Sequence, residues 1–131
     1  MLDPIALFTA LADETRLRTV ILLTQEPPLC VCEVTEALGV SQPKISRHLA
    51  ILRDNGLVED QRVANRVFYR IHRSLPTWAW KVLDTTAAAR AAYPPFADDR
   101  ARLRTMSNRP DRSDLSWPSL ADAGRKDHHA H

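Results

Sequence analysis

Cys30 and Cys32 stand one residue apart in Leu-Cys-Val-Cys-Glu-Val, and nine residues beyond the second begins Ser-Gln-Pro-Lys-Ile-Ser-Arg-His-Leu. Thiolate sulfur is the donor that soft, thiophilic ions prefer, so the first string suits chelation of such a centre. The second carries a different chemistry. Ser41 is a good N-cap, Pro43 is tolerated in a first turn, and Ile45, Leu49 and Leu52 recur on one stripe, which predicts a helix ending at Asn55-Gly56. Arg47 falls opposite that stripe with Lys44 to one side, so the outward face is cationic. Lys44 and Arg47 can donate to guanine edges or phosphates, and Gln42 suits adenine. Ser41 and Ser46 can hold phosphate oxygens beside the helix N-terminus. His48, on the flank of the stripe, reads as a packing or phosphate-contacting residue and is counted with this DNA-facing set.

The surrounding pattern says what positions these groups. Ile5, Phe8, Leu11 and Ala12 recur at helical spacing and predict a first short helix that starts at Asp3-Pro4. Asp13 caps a second, whose stripe is Leu17, Val20, Ile21 and Thr24 and which stops at Pro27-Pro28. A third helix over 31–38 places Val31, Val34 and Leu38 together, with Gly39 as its left-handed stop. Third helix, short turn and Ser41 helix make a helix-turn-helix. Residues two apart on a helix point about 200° apart, so the sulfurs of Cys30 and Cys32 are expected to diverge. Chelating one ion would then unwind the first turn of the third helix and disturb the recognition helix that it braces.

After Gly56 the periodicity becomes two. Residues 57–62 and 66–71 predict an antiparallel hairpin turning near Ala64-Asn65, a wing whose tip offers Arg62, Asn65 and Arg66 to a minor groove or a flanking phosphate. Trp80, Leu83, Ala87 and Ala91 give a fifth helix over 78–92, equally suited to a dimer surface or to closing the core. The expected fold is mainly α with a small β-hairpin, a winged helix-turn-helix. Residues 1–93 form its DNA-binding and dimerisation domain, and 94–131 form a mostly disordered tail with a short helix at 97–106.

Composition narrows the function classes. A chain of 131 residues, 44% hydrophobic and 26% charged, holds one ordinary globular core. No apolar run approaches the roughly 18 residues that span a bilayer, and Met1 to Ala12 has no basic signal region, which places the chain in the cytosol with no membrane partner. The cysteines are accordingly expected as reduced thiols rather than a disulfide. A net charge of +2 conceals asymmetry: residues 1–40 hold two basic and six acidic side chains, and 41–73 hold seven basic against three acidic. The basic segment coincides with the helix-turn-helix and its hairpin, where it can neutralise phosphates. A thiol-using enzyme finds no support, because there is no Cys-x-x-Cys and no βαβ pattern. A thiol pair closing by oxidation would make the same fold a redox sensor.

Leu-Cys-Val-Cys-Glu-Val, the Ser41 string continuing through Ala-Ile-Leu-Arg, and Leu-Pro-Thr-Trp-Ala together closely resemble the ArsR/SmtB family, and within it the arsenical-resistance repressors. The resemblance covers about residues 5–92. It implies a homodimeric winged-helix repressor on double-stranded operator DNA, needing no cofactor and released when arsenite or antimonite, As(III) or Sb(III), binds Cys30 and Cys32. The chain departs from well-known members at Thr35, where they carry a third cysteine. Trivalent arsenic favours three sulfurs, so the third place falls to water, hydroxide or a small external thiol. Cadmium and lead sensors of the family add N-terminal thiols that this chain lacks, and zinc sensors use last-helix histidines where it has none between His72 and His128. His128, His129 and His131 read as a solvated tail. The alternative within the fold is a repressor answering thiol oxidation or another soft metal.

Overall fold

The structure is a computed structural model and describes residues 2–117. Six helices and three short strands follow one another as α1 (Pro4–Leu11), α2 (Glu14–Gln25), β1 (Leu29–Cys30), α3 (Val31–Leu38), α4 (Gln42–Asp54), β2 (Val58–Val63), β3 (Arg66–Ile71), α5 (Thr77–Arg90) and α6 (Phe96–Arg104). Local chemistry sets the first boundaries. The Asp3 carboxylate accepts the Ala6 N–H at 2.8 Å and the Asp13 carboxylate accepts the Arg16 N–H at 3.0 Å, so both helices begin on a side-chain cap. In α2 every residue from Thr19 to Thr24 is buried, wider than the expected stripe, because this helix is the central post on which α1, α4, α5, α6 and β3 pack. Its two buried threonines return their hydroxyls to the carbonyls of Thr15 and Ile21.

The helix-turn-helix forms where the sequence places it. Gly39 takes φ 68° and closes α3 through its N–H on the Thr35 carbonyl. Ile45, Leu49 and Leu52 of α4 are fully buried. The wing is an antiparallel β2–β3 pair in register from Val58 opposite Ile71 to Val63 opposite Arg66, leaving Ala64 and Asn65 as a two-residue turn. Ala64 sits at φ 55°, a left-handed conformation that costs a residue with a Cβ about 1 kcal/mol.

Three features differ from expectation. The wing is part of a three-stranded sheet, ordered β1-β3-β2, because Leu29 and Cys30 pair with Tyr69 and Phe68 on the other edge of β3. Two residues after a proline pair are too few to show a strand period. In α1 the buried residues are Leu7 and Ala10; of the expected stripe Leu11 packs against the core, whereas Ile5 and Phe8 are 76% and 52% exposed and face outward. Within 94–131, read as a mostly disordered tail with a short helix at 97–106, the helix is present as α6, but it packs on α3 and α2 with Leu103 fully buried instead of lying in a loose tail. His128, His129 and His131 lie outside the described residues. Among the described residues no helix is long and apolar enough to cross a membrane.

Candidate thiol site and nucleic-acid interface

The strand β1 changes the geometry of the cysteine pair. Cys30 is not a helical residue but the N-cap of α3, extended at φ −86° and ψ 166° and paired to Phe68, while Cys32 lies in the helix's first turn. Their Cα atoms are 5.5 Å apart and the two sulfurs meet in a disulfide. The expected divergence of the sulfurs is therefore corrected: it assumed a regular helix through both residues, and the strand-to-helix junction turns them to one side. No unwinding of α3 is needed to bring them together. The expectation of two free thiols is corrected with it, for the described chain has no free cysteine.

Glu33 anchors this junction. Its carboxylate, fully buried, accepts the Cys30 N–H at 2.9 Å. Arg109 and Arg112, from the segment beyond α6, close on the same carboxylate, so the buried charge is paired twice. Arg112 also lies over the Phe68 ring, with its guanidinium carbon 5.4 Å from the ring centre. The same segment reaches the wing: Gln61 and Ser116 exchange hydrogen bonds, and the Arg70 guanidinium stacks 4.3 Å above Trp117. The acidic residue three places after an N-cap was a legible signal for Glu33. Nothing in the sequence marks Arg109 or Arg112, which lie 76 and 79 residues from their partner.

The thiol pair opens onto a cleft of about 350 Å³. One wall is Gln42 and Ser46 of α4, another is Arg62, Asn65 and Arg66 of the wing, and Val67 and Tyr69 of β3 line it too. Arg66 directs a guanidinium N–H at the Cys32 sulfur across 3.8 Å. Five of the nine residues assigned to DNA thus share a wall with the two assigned to the inducer. Gln42 donates to the Ser46 hydroxyl at 2.9 Å, which ties the outer face of α4 together. Ser41, Lys44 and Arg47 are exposed on the same helix, and Ser41 makes no side-chain cap bond. The ninth, His48, takes the packing one of its two expected roles: it is 6% exposed and its Nδ1 lies 3.2 Å from an Arg16 guanidinium nitrogen, on the side of α4 that meets α2. A ring held there joins α4 to α2. Thr35, in the place of the third cysteine, has a buried hydroxyl with no hydrogen-bond partner among the described residues.

Comparison with known proteins fits this architecture. The family model described as "Bacterial regulatory protein, arsR family" matches residues 13–60. An arsenic resistance transcriptional regulator of Pseudomonas putida is 44% identical over 115 residues, covering 88% of this chain and 98% of that protein. The chain belongs to the arsR family. An arsenical resistance operon repressor of Escherichia coli is 53% identical over 81 residues, 62% of this chain and 69% of that protein. Among solved structures, HlyU from Vibrio cholerae superposes with a TM-score of 0.58 at 32% identity, covering 65% of this chain and 88% of that one. The AntR antimony-specific transcriptional repressor gives 0.57 at 28% identity, covering 65% and 74%. As an arsR-family protein the chain is a winged helix-turn-helix, DNA-binding transcriptional regulator and not an enzyme.

Proposed function

We propose that this protein represses an arsenic-resistance operon, binding its operator as a homodimer and leaving it when arsenite or antimonite takes the reduced Cys30–Cys32 pair. The observation that carries the reading is the shared cleft, in which the sulfurs, the start of α4 and the tip of the wing form adjoining walls. The names of the relatives, which speak of arsenic resistance and of antimony, support the inducer class. On DNA, Ser41, Gln42, Lys44, Ser46 and Arg47 face the major groove and Arg62, Asn65 and Arg66 take the flank. An ion held on the two sulfurs occupies the space between these two sets, and so alters their spacing without melting α3. No resident cofactor is invoked, and the place of action is the cytoplasm.

Anisotropy of a labelled promoter fragment from its own operon, at fixed salt with a reductant, tests this. Arsenite at one equivalent per subunit should release the wild-type protein while zinc does not. The Cys30→Ser, Cys32→Ser double variant should bind DNA within about threefold of wild type, because neither sulfur touches DNA, and should ignore arsenite. A full arsenite response in that variant removes the thiols from the mechanism. The sulfur–sulfur contact favours a second reading, release by oxidation. Release by peroxide, reversed by reductant and independent of arsenite, would establish that reading instead.

A further inference from the structure

We infer that the cleft beside Cys30 and Cys32 is a seat for a small anionic thiol, which supplies the third sulfur to the trivalent inducer. The inference rests on the inducer reading above. The sequence has two cysteines, and among the described residues no three His, Cys, Asp or Glu side chains converge on one centre. Thr35 provides only a neutral hydroxyl and is not on the cleft wall. A centre that prefers three sulfurs must therefore complete its shell from outside the chain.

The cleft selects what can do so. Its volume of about 350 Å³ is that of a small-molecule site and far exceeds a water or hydroxide. Arg62 and Arg66 line it, no acidic side chain does, and the nearby Glu33 charge is buried and already matched by two arginines. Arg66 reaches from the wing to the Cys32 sulfur, so a carboxylate carried by a sulfur bound there lies within the same cationic reach. Guanidinium and carboxylate are geometrically matched hydrogen-bonding partners. Gln42, Ser46 and Asn65 add neutral donors and acceptors suited to a peptide-like backbone. The ligand class is a low-molecular-weight thiol bearing carboxylates.

The chemistry balances with that one co-reactant. Two molecules of the small thiol reduce the Cys30–Cys32 disulfide and leave as their own disulfide. Arsenite, As(OH)3, then exchanges three hydroxyls for three sulfurs, two from the protein and one from a further small thiol. Three As–O and three S–H bonds break, three As–S bonds form, three waters leave, and arsenic stays trivalent. An anion seated here also engages Arg62 and Arg66, the cations that the wing offers to phosphate, so the ternary adduct opposes DNA binding by charge as well as by volume.

The test needs no DNA. Full-length protein reduced with a phosphine is titrated with arsenite alone and with glutathione, 2-mercaptoethanol or cysteamine, and read by native mass spectrometry and by sulfur–arsenic ultraviolet absorbance. Glutathione should appear in a one-to-one-to-one adduct and lower the half-saturating arsenite concentration about tenfold relative to neutral 2-mercaptoethanol, as expected for charge-assisted contacts. Cationic cysteamine should do no better than 2-mercaptoethanol. In Arg62→Gln, Arg66→Gln protein the preference for glutathione should vanish, a ratio that cancels any effect of Arg66 on the sulfur itself. Equal enhancement by all three thiols, or an adduct without glutathione, overturns the seat while leaving the inducer site intact. No arsenite binding under any thiol overturns the inducer reading and this inference together.

Discussion

His48 shows how a residue placed on the DNA-reading helix acts from its inner side. Burial pushes its imidazole below the ordinary value of 6.5; Asp13 opposes that, and the Arg16, Arg47 and Lys44 charges reinforce it. The neutral ring accepts from Arg16, whereas a protonated ring would set a cation against a guanidinium. The unfolded chain binds the proton more readily than the folded one. The stability His48 contributes is therefore complete above pH 6.5 and is lost as pH falls through the lower folded-state value. Asp13, whose carboxyl is held below 3.8 chiefly by the Arg16 N–H, acts in a separate and more acidic window. The loss of thermal stability between pH 7.5 and 5 should be smaller in His48→Gln than in wild type, by differential scanning fluorimetry. Parallel curves would mean that His48 does not report the acid limb. Period alone put this histidine at the margin of a buried stripe. Its partner, 32 residues away, decided which side it took.

At the scale of elements, α6 is the clearest case of structure held by distant charge. Asp99, 1% exposed, receives two hydrogen bonds from Arg18 at 2.6 and 2.9 Å and one from Arg102 at 2.9 Å. Arg18 and Arg102 also donate to the carbonyls of Leu38 and Ala37 at the end of α3, so one carboxylate joins α2, α3 and α6. Asp99→Ala leaves Arg18 largely buried without that partner and should cost about 3 kcal/mol in urea unfolding. A loss below about 1 kcal/mol would show that α6 is only loosely attached. The sequence announced the helix at 97–106 but not its docking, because Leu103 is its only fully buried apolar side chain and its anchor is a charge whose partner is 81 residues away. The helix-turn-helix was legible for the opposite reason. Ser41, the Ile45, Leu49, Leu52 stripe and Gly39 are local signals that all agree with the tertiary packing. The thiol site was half legible: Cys30 and Cys32 were visible, but β1, which turns their sulfurs together, is two residues long and exists only through β3.

For the whole molecule, the described surface leaves four large hydrophobic side chains outside: Ile5 and Phe8 on α1, Trp78 on α5 and Tyr93 just after it. Ile5 and Phe8 lie on one face of an eight-residue helix whose opposite face, Leu7 and Ala10, is already used by the core. A helix with apolar groups on both sides is suited to packing between two bodies, and a second copy of the chain is the partner that the homodimer proposed above would place there. Two joined copies reach two half-sites with one binding event made intramolecular, which raises apparent affinity by roughly 100-fold or more without any new base contact. Replacing Ile5 and Phe8 by glutamate leaves the buried Leu7 and Ala10 of α1 in place, so helix content by circular dichroism should be unchanged. Sedimentation should then show a monomer where wild type shows a dimer, and operator affinity should fall by roughly 100-fold or more while the arsenite-to-protein stoichiometry by mass spectrometry stays the same. A variant that still sediments as a dimer would move the interface away from α1. A monomer that keeps wild-type operator affinity would remove dimerisation from recognition altogether, and leave α4 and the wing of one subunit to account for binding alone.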